Sequence, residues 1–241
     1  MAAAAVALVL VLWLSAIPIS WLPEPVGSSA EEFAGGVRTT VELTLIAGLI
    51  GTLIGVGAGL GKLSHIPPVR WVCGAYVWAI RGTPLITQIF FVYFALPEIV
   101  PWLQMSDFAA ATVALAGNVG AYNAEAIRAG LLAVPRGQRE AARALGLSQT
   151  QAFLHVTFPQ AFRISLPPLV NNIVALLKDS SLAFSIGVLE LTNVGDRIRS
   201  ATFQPKPVLL ATALIYLLLT SLMTLFSSSL EKRMDIEERQ P

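Results

Sequence analysis

The sequence predicts an all-α membrane protein, because it is poor in charge and contains six long apolar runs. Of its 241 residues, 55% are hydrophobic and 13% are charged, whereas a soluble domain carries about 25% charged residues. A helix needs about 20 apolar residues to cross a hydrocarbon core of about 30 Å. Suitable runs cover residues 2–22, 40–61, 71–97, 107–132, 165–189 and 207–229. We therefore predict six membrane-spanning helices.

The first run admits two interpretations. It is either a signal peptide or a retained helix. It lacks a Lys or Arg at its start and has no clear small-x-small cleavage site, so we favour the retained helix. The polar linker LPEPVGSSAEEFAGGVR follows it. The predicted organisation is an N-terminal helix and periplasmic linker over residues 1–35, a membrane domain over 36–230 and a charged tail over 231–241.

Lys and Arg residues in the loops predict the orientation, because cytoplasmic loops carry an excess of them. One side of the membrane would hold Lys62, Arg70, Arg136, Arg139, Arg143, Arg163, Lys232, Arg233 and Arg239. The other side would hold Arg38, Arg197, Arg199 and Lys206. The larger set predicts that the 137–162 loop and the C-terminal tail are cytoplasmic.

Motifs for metal, disulfide or nucleotide chemistry are not found in the sequence. Cys73 is the one cysteine, and His65 and His155 lack the spacing of metal ligands. The run GVGAGLGKLS is not a phosphate-binding loop, because Val56 occupies the position of its first glycine and Leu63 that of its Ser or Thr. We predict no catalytic residue and no metal site, which disfavours an intramembrane enzyme.

Glycines in the second run predict close helix packing. Gly51, Gly55 and Gly59 form overlapping small-xxx-small spacings, which allow two helices to approach closely.

The loop GQREAARALGLSQTQAFLHVTFPQAF, residues 137–162, is the most helix-prone charged segment. Pro135 suits a helix start, and Gly146 suits a helix end. Ser148 and Gln151 have the spacing of a capping box, and Pro159 predicts the end of a second helix. We predict two short helices joined at a glycine turn. The small side chains of this loop would let it approach a partner closely, although an amphipathic loop lying on the membrane remains an alternative.

Four sequence segments resemble one family. The run EAARALG followed by VTFP resembles the EAA loop of ATP-binding cassette (ABC) importer permeases, with Phe158 in place of the usual leucine. The runs RGTPLITQIFFVYFALP, AYNAEAIRAGLLAVPRGQREAARALGLS and LKDSSLAFSIGVLELT resemble signatures of the polar amino-acid branch of this family, which serves histidine, glutamine, arginine and opines. The similarity spans about residues 35–230. Ser180 and Asn123 depart from the family pattern, and the helix before residue 35 is additional to a usual core of five.

The resemblance implies a type I ABC importer-like permease, a multi-pass subunit of the bacterial inner membrane with the EAA loop, residues 135–163, in the cytoplasm. A separate ATPase subunit would hold ATP and Mg²⁺, and this chain would hold no cofactor. A second permease chain, identical or paralogous, and a periplasmic or tethered amino-acid-binding protein would complete the importer. The surrounding partner would be membrane lipid, with no role for nucleic acid. The ATPase-coupling residues implied are Glu140, Ala141, Ala142, Leu145, Gly146 and Pro159.

Ionisable residues within the predicted spans indicate a polar path, because such residues are costly in lipid and face a cavity or a partner. These residues are Arg81, Glu125, Lys178 and Asp179. Internal pairing of Arg81 with Glu125 or Asp179 is one interpretation, and a substrate site is the other. The substrate-binding candidates are Glu125, Asp179, Arg81, Asn118, Tyr122, Asn172, Ser180, Ser181, Thr83 and Gln88. The two carboxylates favour a cationic or neutral polar amino acid.

A rival hypothesis is an ion-coupled secondary transporter that works alone. In such a carrier Glu125 and Asp179 would carry protons. The cytoplasmic loop and the lack of an evident internal repeat in the sequence disfavour it.

Overall fold

The computed structural model describes residues 15–233, with the burial of side chains up to residue 229. Residues 2–14 of the predicted first span and residues 234–241 of the tail lie outside the described residues. The α-helices are α1 (Ala16–Ser20), α2 (Ala30–Lys62), α3 (Pro67–Arg81), α4 (Leu85–Phe90), α5 (Leu96–Ile99), α6 (Asp107–Ala133), α7 (Arg136–Ala144), α8 (Gln149–Ala152), α9 (Phe158–Asp179), α10 (Leu191–Thr202) and α11 (Pro205–Arg233). Stretches of π-helix occupy Phe91–Ala95 and Phe153–Thr157, and 3₁₀ helices occupy Pro101–Leu103 and Ser180–Ile186. Within residues 15–233 there is no β-strand, and the predicted all-α fold is confirmed.

Three helical segments among the described residues are long and apolar enough to cross a membrane. They are Ala30–Lys62, Gln149–Ile186 and Pro205–Ser229, and they contain most of the predicted spans 40–61, 165–189 and 207–229. A bent pair of helices would supply a fourth span. The helix predicted over 107–132 is present as α6. It is long enough to cross a membrane, but it is not among the segments that are apolar enough to do so. Polar residues such as Asn118, Asn123 and Glu125 interrupt it.

The span predicted over 71–97 is broken rather than continuous. Helix α3 ends at Arg81, and α4 begins at Leu85. Between them, the Gly82 N–H closes the last turn on the Trp78 carbonyl at 3.0 Å. Pro84 has no N–H and disfavours helical geometry at the residue before it. Gly82 and Pro84 thus predict a disturbance within the span 71–97, and the structure has a full break at these residues.

The prediction that the second loop helix ends near Pro159 was wrong. Helical structure runs without a gap from Gln149 to Ile186. Pro159 is the second residue of α9, directly after the π-helical stretch Phe153–Thr157. A π-helical turn shifts the hydrogen-bond ladder by one residue, and such stretches are one way in which a helix accommodates an interruption. Pro167 and Pro168 also lie inside α9.

The described helices form two compact units, and several helices contribute to both. The first unit comprises the described part of Met1–Gly48 together with Leu85–Leu115 and Val174–Phe226. Its apolar core includes Phe33 and Leu191, both fully buried. Helix α2 approaches the start of α10 at Gly36, where an added Cβ would lie 3.0 Å from the Leu191 Cα. The Leu191 N–H donates to the Thr40 hydroxyl at 3.1 Å.

The second unit comprises Leu49–Pro84, Ala116–Ile173 and the described part of Ser227–Pro241. Here α2 packs directly against α6 through its glycines. A Cβ added at Gly55 would lie 2.6 Å from the Asn123 Cβ, and one at Gly59 would lie 2.8 Å from the Ala124 carbonyl oxygen. The close packing that the glycine spacing predicted is confirmed, and α6 is the partner helix.

Candidate functional site

Arg81 and Tyr122 lie together in the second unit. The Arg81 guanidinium carbon is 5.1 Å from the centre of the Tyr122 ring, which is a cation–π distance. Asn118 lies one helical turn before Tyr122 on α6 and is nearly buried. The Thr83 hydroxyl donates to the Ala79 carbonyl at 2.9 Å, within the break between α3 and α4. Arg81 and Tyr122, both predicted site residues, are thus in contact, and both side chains are exposed.

Glu125 is held by two cations. Lys62, at the end of α2, bonds Oε1, while Arg128 donates to Oε2 from Nη2 at 2.8 Å and from Nε at 3.0 Å. Glu125 therefore uses partners other than Arg81, which the sequence had offered as one possibility. The sequence indicated Lys62 only as a loop charge, because its contact with Glu125 joins residues 63 positions apart. Any ammonium group that binds Glu125 would have to compete with two cations already present.

An amide network joins three helices of the second unit. The Asn172 amide donates to Asn123 Oδ1 at 2.9 Å, and the Asn123 amide donates to the Thr52 hydroxyl at 3.2 Å. Asn123 is fully buried. Asn172 was a predicted site residue, whereas Asn123 was noted only as a departure from the family pattern. Its alanine-rich surroundings gave no local signal of a partner on α9.

The remaining predicted site residues lie in the first unit. Gln88 is on α4, which packs against the 3₁₀ helix Ser180–Ile186. The buried Ser180 hydroxyl donates to the Leu177 carbonyl at 2.7 Å, so that it supports the local backbone. Ser181 lines an open cavity, and Asp179 is the half-buried last residue of α9.

Glu190, which sequence reasoning missed, organises the start of α10. Its buried carboxylate caps the helix by accepting from the Thr192 and Asn193 N–H groups, both at 2.8 Å, and Tyr216 donates to it at 2.8 Å. Burial raises the pKa of Glu190 above its ordinary value, although the backbone and tyrosine hydrogen bonds oppose this shift. Glutamate is not among the preferred N-cap residues, so no local signal of this cap is visible in the sequence.

The raised pKa of Glu190 predicts a dependence of stability on pH. The folded state favours the protonated form, so this contribution to stability is present below the ordinary glutamate pKa and is lost as pH rises through the raised pKa. Compared with wild type, Glu190→Gln is expected to give a flatter plot of apparent melting temperature against pH from about pH 4.5 upward. Tyr216→Phe is expected to give a steeper plot, because it removes a bond that stabilises the charged carboxylate. Three parallel plots would contradict this prediction.

The 137–162 loop begins as predicted. Helix α7 starts after Pro135 and ends before Gly146, which has a φ of +86°. The Leu147 N–H returns to the Ala142 carbonyl at 3.2 Å, as in a glycine-terminated helix. The Ser148–Gln151 capping box is confirmed. Among the predicted coupling residues, Glu140, Ala141, Leu145, Gly146 and Pro159 are exposed, while Ala142 is buried.

Comparison with known proteins identifies the family. The sequence model of the protein family described as the binding-protein-dependent transport system inner membrane component matches residues 51–236. The chain therefore belongs to this family of membrane permease subunits, and the resemblance found in the sequence is confirmed.

Individual relatives are amino-acid permeases by name. The L-cystine transport system permease TcyB of Bacillus subtilis is 37% identical over 203 residues, covering 84% of this chain and 86% of the relative. The arginine transport system permease ArtQ of Bacillus subtilis is 34% identical and covers 83% and 90%. The glutamine transport system permease GlnP of Escherichia coli K12 is 37% identical and covers 83% and 92%.

Solved structures agree with these relatives. An amino acid ABC transporter crystallised with histidines matches with a TM-score of 0.81 and 37% identity, covering 86% of this chain and 95% of the other. The methionine transporter MetNI, at 20% identity, matches with a TM-score of 0.74 over 88% of this chain and 99% of the other, and shows the shared fold alone. The predicted type I importer-like fold is confirmed.

Proposed function

We propose that this chain is the transmembrane subunit of an ABC importer and forms the path for a polar amino acid. The observation that carries the proposal is the similarity to relatives named as cystine, arginine and glutamine permeases along more than four-fifths of the chain. The fold and the exposed 137–162 loop agree with it. The shared chemistry of those three substrates is the α-amino acid group, with one carboxylate and one ammonium.

Each unit contains polar residues that are candidates for contact with the substrate. Arg81 is exposed and lies beside Tyr122, so its guanidinium retains donors that suit a carboxylate. Asn118 and Asn172 of the second unit would supply amide contacts. In the first unit, Asp179 would supply a carboxylate that suits an ammonium group. Two cations already balance Glu125, which weakens the preference for cationic substrates drawn from its charge alone. Thr83, Gln88 and Ser181 remain weaker candidates for contact with the substrate. The Ser180 hydroxyl would act indirectly, by supporting the local backbone through its bond to the Leu177 carbonyl.

The loop of α7 and α8 is the proposed docking element for the ATPase. Glu140 and Ala141 are exposed on α7, and the Leu145 side chain is 84% exposed just after it. An exposed leucine beside charged groups has the composition of a protein interface, with an apolar centre and a polar rim. Ala142 faces its own chain and would support the loop rather than contact the partner. Pro159 would fix the return of the chain into α9. ATP and Mg²⁺ would be held by the ATPase.

The complete importer would contain further chains. We assign the 137–162 loop and the tail to the cytoplasm, the side on which an ATPase can reach them. A second permease chain, identical or paralogous, would complete the path, and a binding protein outside would deliver the amino acid. ATP-driven closure of the ATPase dimer would move the loops and switch access from one side to the other.

The decisive experiment is purification of the tagged chain from its native host in a gentle detergent, with its partners identified by mass spectrometry. The purified assembly is then placed in vesicles and tested for uptake of radiolabelled cystine, arginine and glutamine. We expect an ATPase subunit to copurify with the chain. We also expect uptake to require ATP on the side of the vesicle membrane that carries the ATPase. The same measurement also reveals whether the second permease is identical.

Uptake by the chain alone, driven by a proton gradient without ATP, would instead support the ion-coupled carrier. In that case Glu125→Gln and Asp179→Asn would be expected to abolish the response to the proton gradient.

A further inference from the structure

An open cavity of about 270 Å³ lies within the first unit, between the end of the Gln149–Ile186 span and the first turns of α11. Its lining includes Lys178 and Ser181 on one side and Leu209, Ala213 and Tyr216 of α11 on the other. The proposed amino-acid path uses only Ser181 among these. A cavity of this size can hold part of a small amphiphilic molecule.

Lys178 is the charged residue in the lining of this cavity. Within the described residues, its ammonium forms no ion pair or hydrogen bond, and Asp179 is its immediate charged neighbour in the chain. An ionisable side chain in a membrane span is costly unless it has a counterion or access to water. Ser181 is three residues further along and can add a hydroxyl donor on the same side. This side of the cavity therefore suits an anion.

The opposite wall is apolar and continues into a leucine-rich surface. Leu209 and Ala213 are exposed on α11, and Leu210, Leu214 and Leu218 are exposed beside them. Along the axis of α11, Leu209 lies about 6 Å from Pro205, and Tyr216 lies about 16 Å from it. One leaflet of hydrocarbon is about 15 Å deep. The apolar wall from Leu209 to Tyr216 is therefore about 10 Å long and fits within the depth of a single leaflet.

A free amino acid is a poor fit to this cavity, because its ammonium group would need an acceptor. Asp179 adjoins Lys178 in the chain but is not part of the lining. The carboxylate of Glu190 is fully buried and already accepts from Thr192, Asn193 and Tyr216. The Tyr216 proton is directed at Glu190, and the Thr192 hydroxyl lies 3.1 Å from the Tyr216 oxygen. The polar atoms at this end are therefore bonded to one another.

We propose that this cavity binds an anionic phospholipid. The lipid phosphate binds the Lys178 ammonium and the Ser181 hydroxyl, and an acyl chain lies along Leu209 and Ala213. An ammonium group forms charge-assisted hydrogen bonds with phosphate oxygens. The site shares only Ser181 with the candidate substrate path and includes no residue of the 137–162 loop, and the lipid stabilises the junction of α9 with α11.

The test measures lipid binding by the full-length chain, purified with the partners it carries. Dioleoyl phosphatidylglycerol, dioleoyl phosphatidylcholine, inorganic phosphate and the candidate amino acids are titrated separately, and the apparent melting temperature is recorded. Phosphatidylglycerol is expected to raise this temperature to a plateau, with little effect from the other three. Lys178→Gln is expected to weaken the apparent affinity by about fivefold or more, the effect of about 1 kcal/mol for one cation. Lys178→Arg is expected to retain most of it.

Two further variants separate binding from folding. Lys206→Gln removes an exposed cation in the first turn of α11 that does not line the cavity, and it is expected to bind lipid like the wild type. Ala213→Leu fills the apolar wall without changing charge and is expected to weaken binding as Lys178→Gln does. Equal responses to the two lipids would overturn the proposal, as would equal losses in Lys178→Gln and Lys206→Gln. A full response to inorganic phosphate would mean a simple anion site, and displacement of the lipid by an amino acid would mean a substrate site.

Discussion

Replacing Glu140 by lysine is expected to abolish ATP-driven uptake while leaving the chain folded in the membrane. Glu140 is exposed on α7, and it forms no ion pair within the described part of the chain. Its loss therefore removes no contact inside this subunit, and a surface change of this kind alters stability by only about 0.5 kcal/mol. At an interface, reversing a charge that pairs with the partner costs about 2 kcal/mol or more, which is about a thirtyfold loss of affinity.

Gln138→Lys is the matched control for Glu140→Lys. Gln138 is exposed on the same helix, about 200° around its axis from Glu140. Both variants would be purified from membranes in equal detergent, and the amount of ATPase recovered per permease chain would be measured together with uptake. We expect normal recovery with Gln138→Lys and a severe loss with Glu140→Lys. If both variants retained the ATPase and transported normally, the loop would not be the docking element.

The parts of this fold that sequence reasoning predicted depend on local chemistry. The capping box at Ser148 and Gln151 and the glycine end of α7 each involve residues within one or two helical turns. The break at Gly82 and Pro84 is also local, because proline removes its own N–H and restricts the preceding residue. Pro159 shows where such reasoning fails: the same missing N–H that predicts a helix end is accommodated after the π-helical stretch Phe153–Thr157. Whether a π-helical stretch forms depends on packing that a single sequence does not display.

The candidate site was harder to predict, because its partners are distant in the chain. The composition of α6 indicated that Glu125 needs a counter-charge, but it did not distinguish Arg81 from Lys62. Lys62 becomes the partner because α2 runs against α6 through small residues, and that packing brings its last residue to Glu125. The same helix contact places Thr52 beside Asn123. Knowledge of which helix the glycines of α2 face would therefore have assigned both contacts.

This dependence leads to the second large effect, which concerns Gly55. Replacing Gly55 by leucine is expected to prevent normal folding of the second unit. A Cβ at this position would lie 2.6 Å from the Asn123 Cβ and 3.1 Å from the Gly120 carbonyl oxygen, which is backbone and cannot rotate away. Leucine would have to push α2 away from α6, and overpacking of this kind costs about 1–3 kcal/mol and occasionally more. The separation would also stretch the Asn123–Thr52 hydrogen bond.

Gly57→Leu is the control that isolates this packing effect. Gly57 lies on the same helix two residues later, it is exposed, and nothing lies within 4 Å of a Cβ added there. Both substitutions gain the same helix propensity of roughly 0.5–1 kcal/mol over glycine, so the difference between them reports the contact with α6 alone. Fluorescence-detected size-exclusion chromatography and the apparent melting temperature would show Gly57→Leu close to wild type and Gly55→Leu aggregated or strongly destabilised. Similar profiles for the two variants would mean that α2 and α6 are not in close contact, and the contacts of Lys62 and Thr52 with α6 would then lose their structural basis as well.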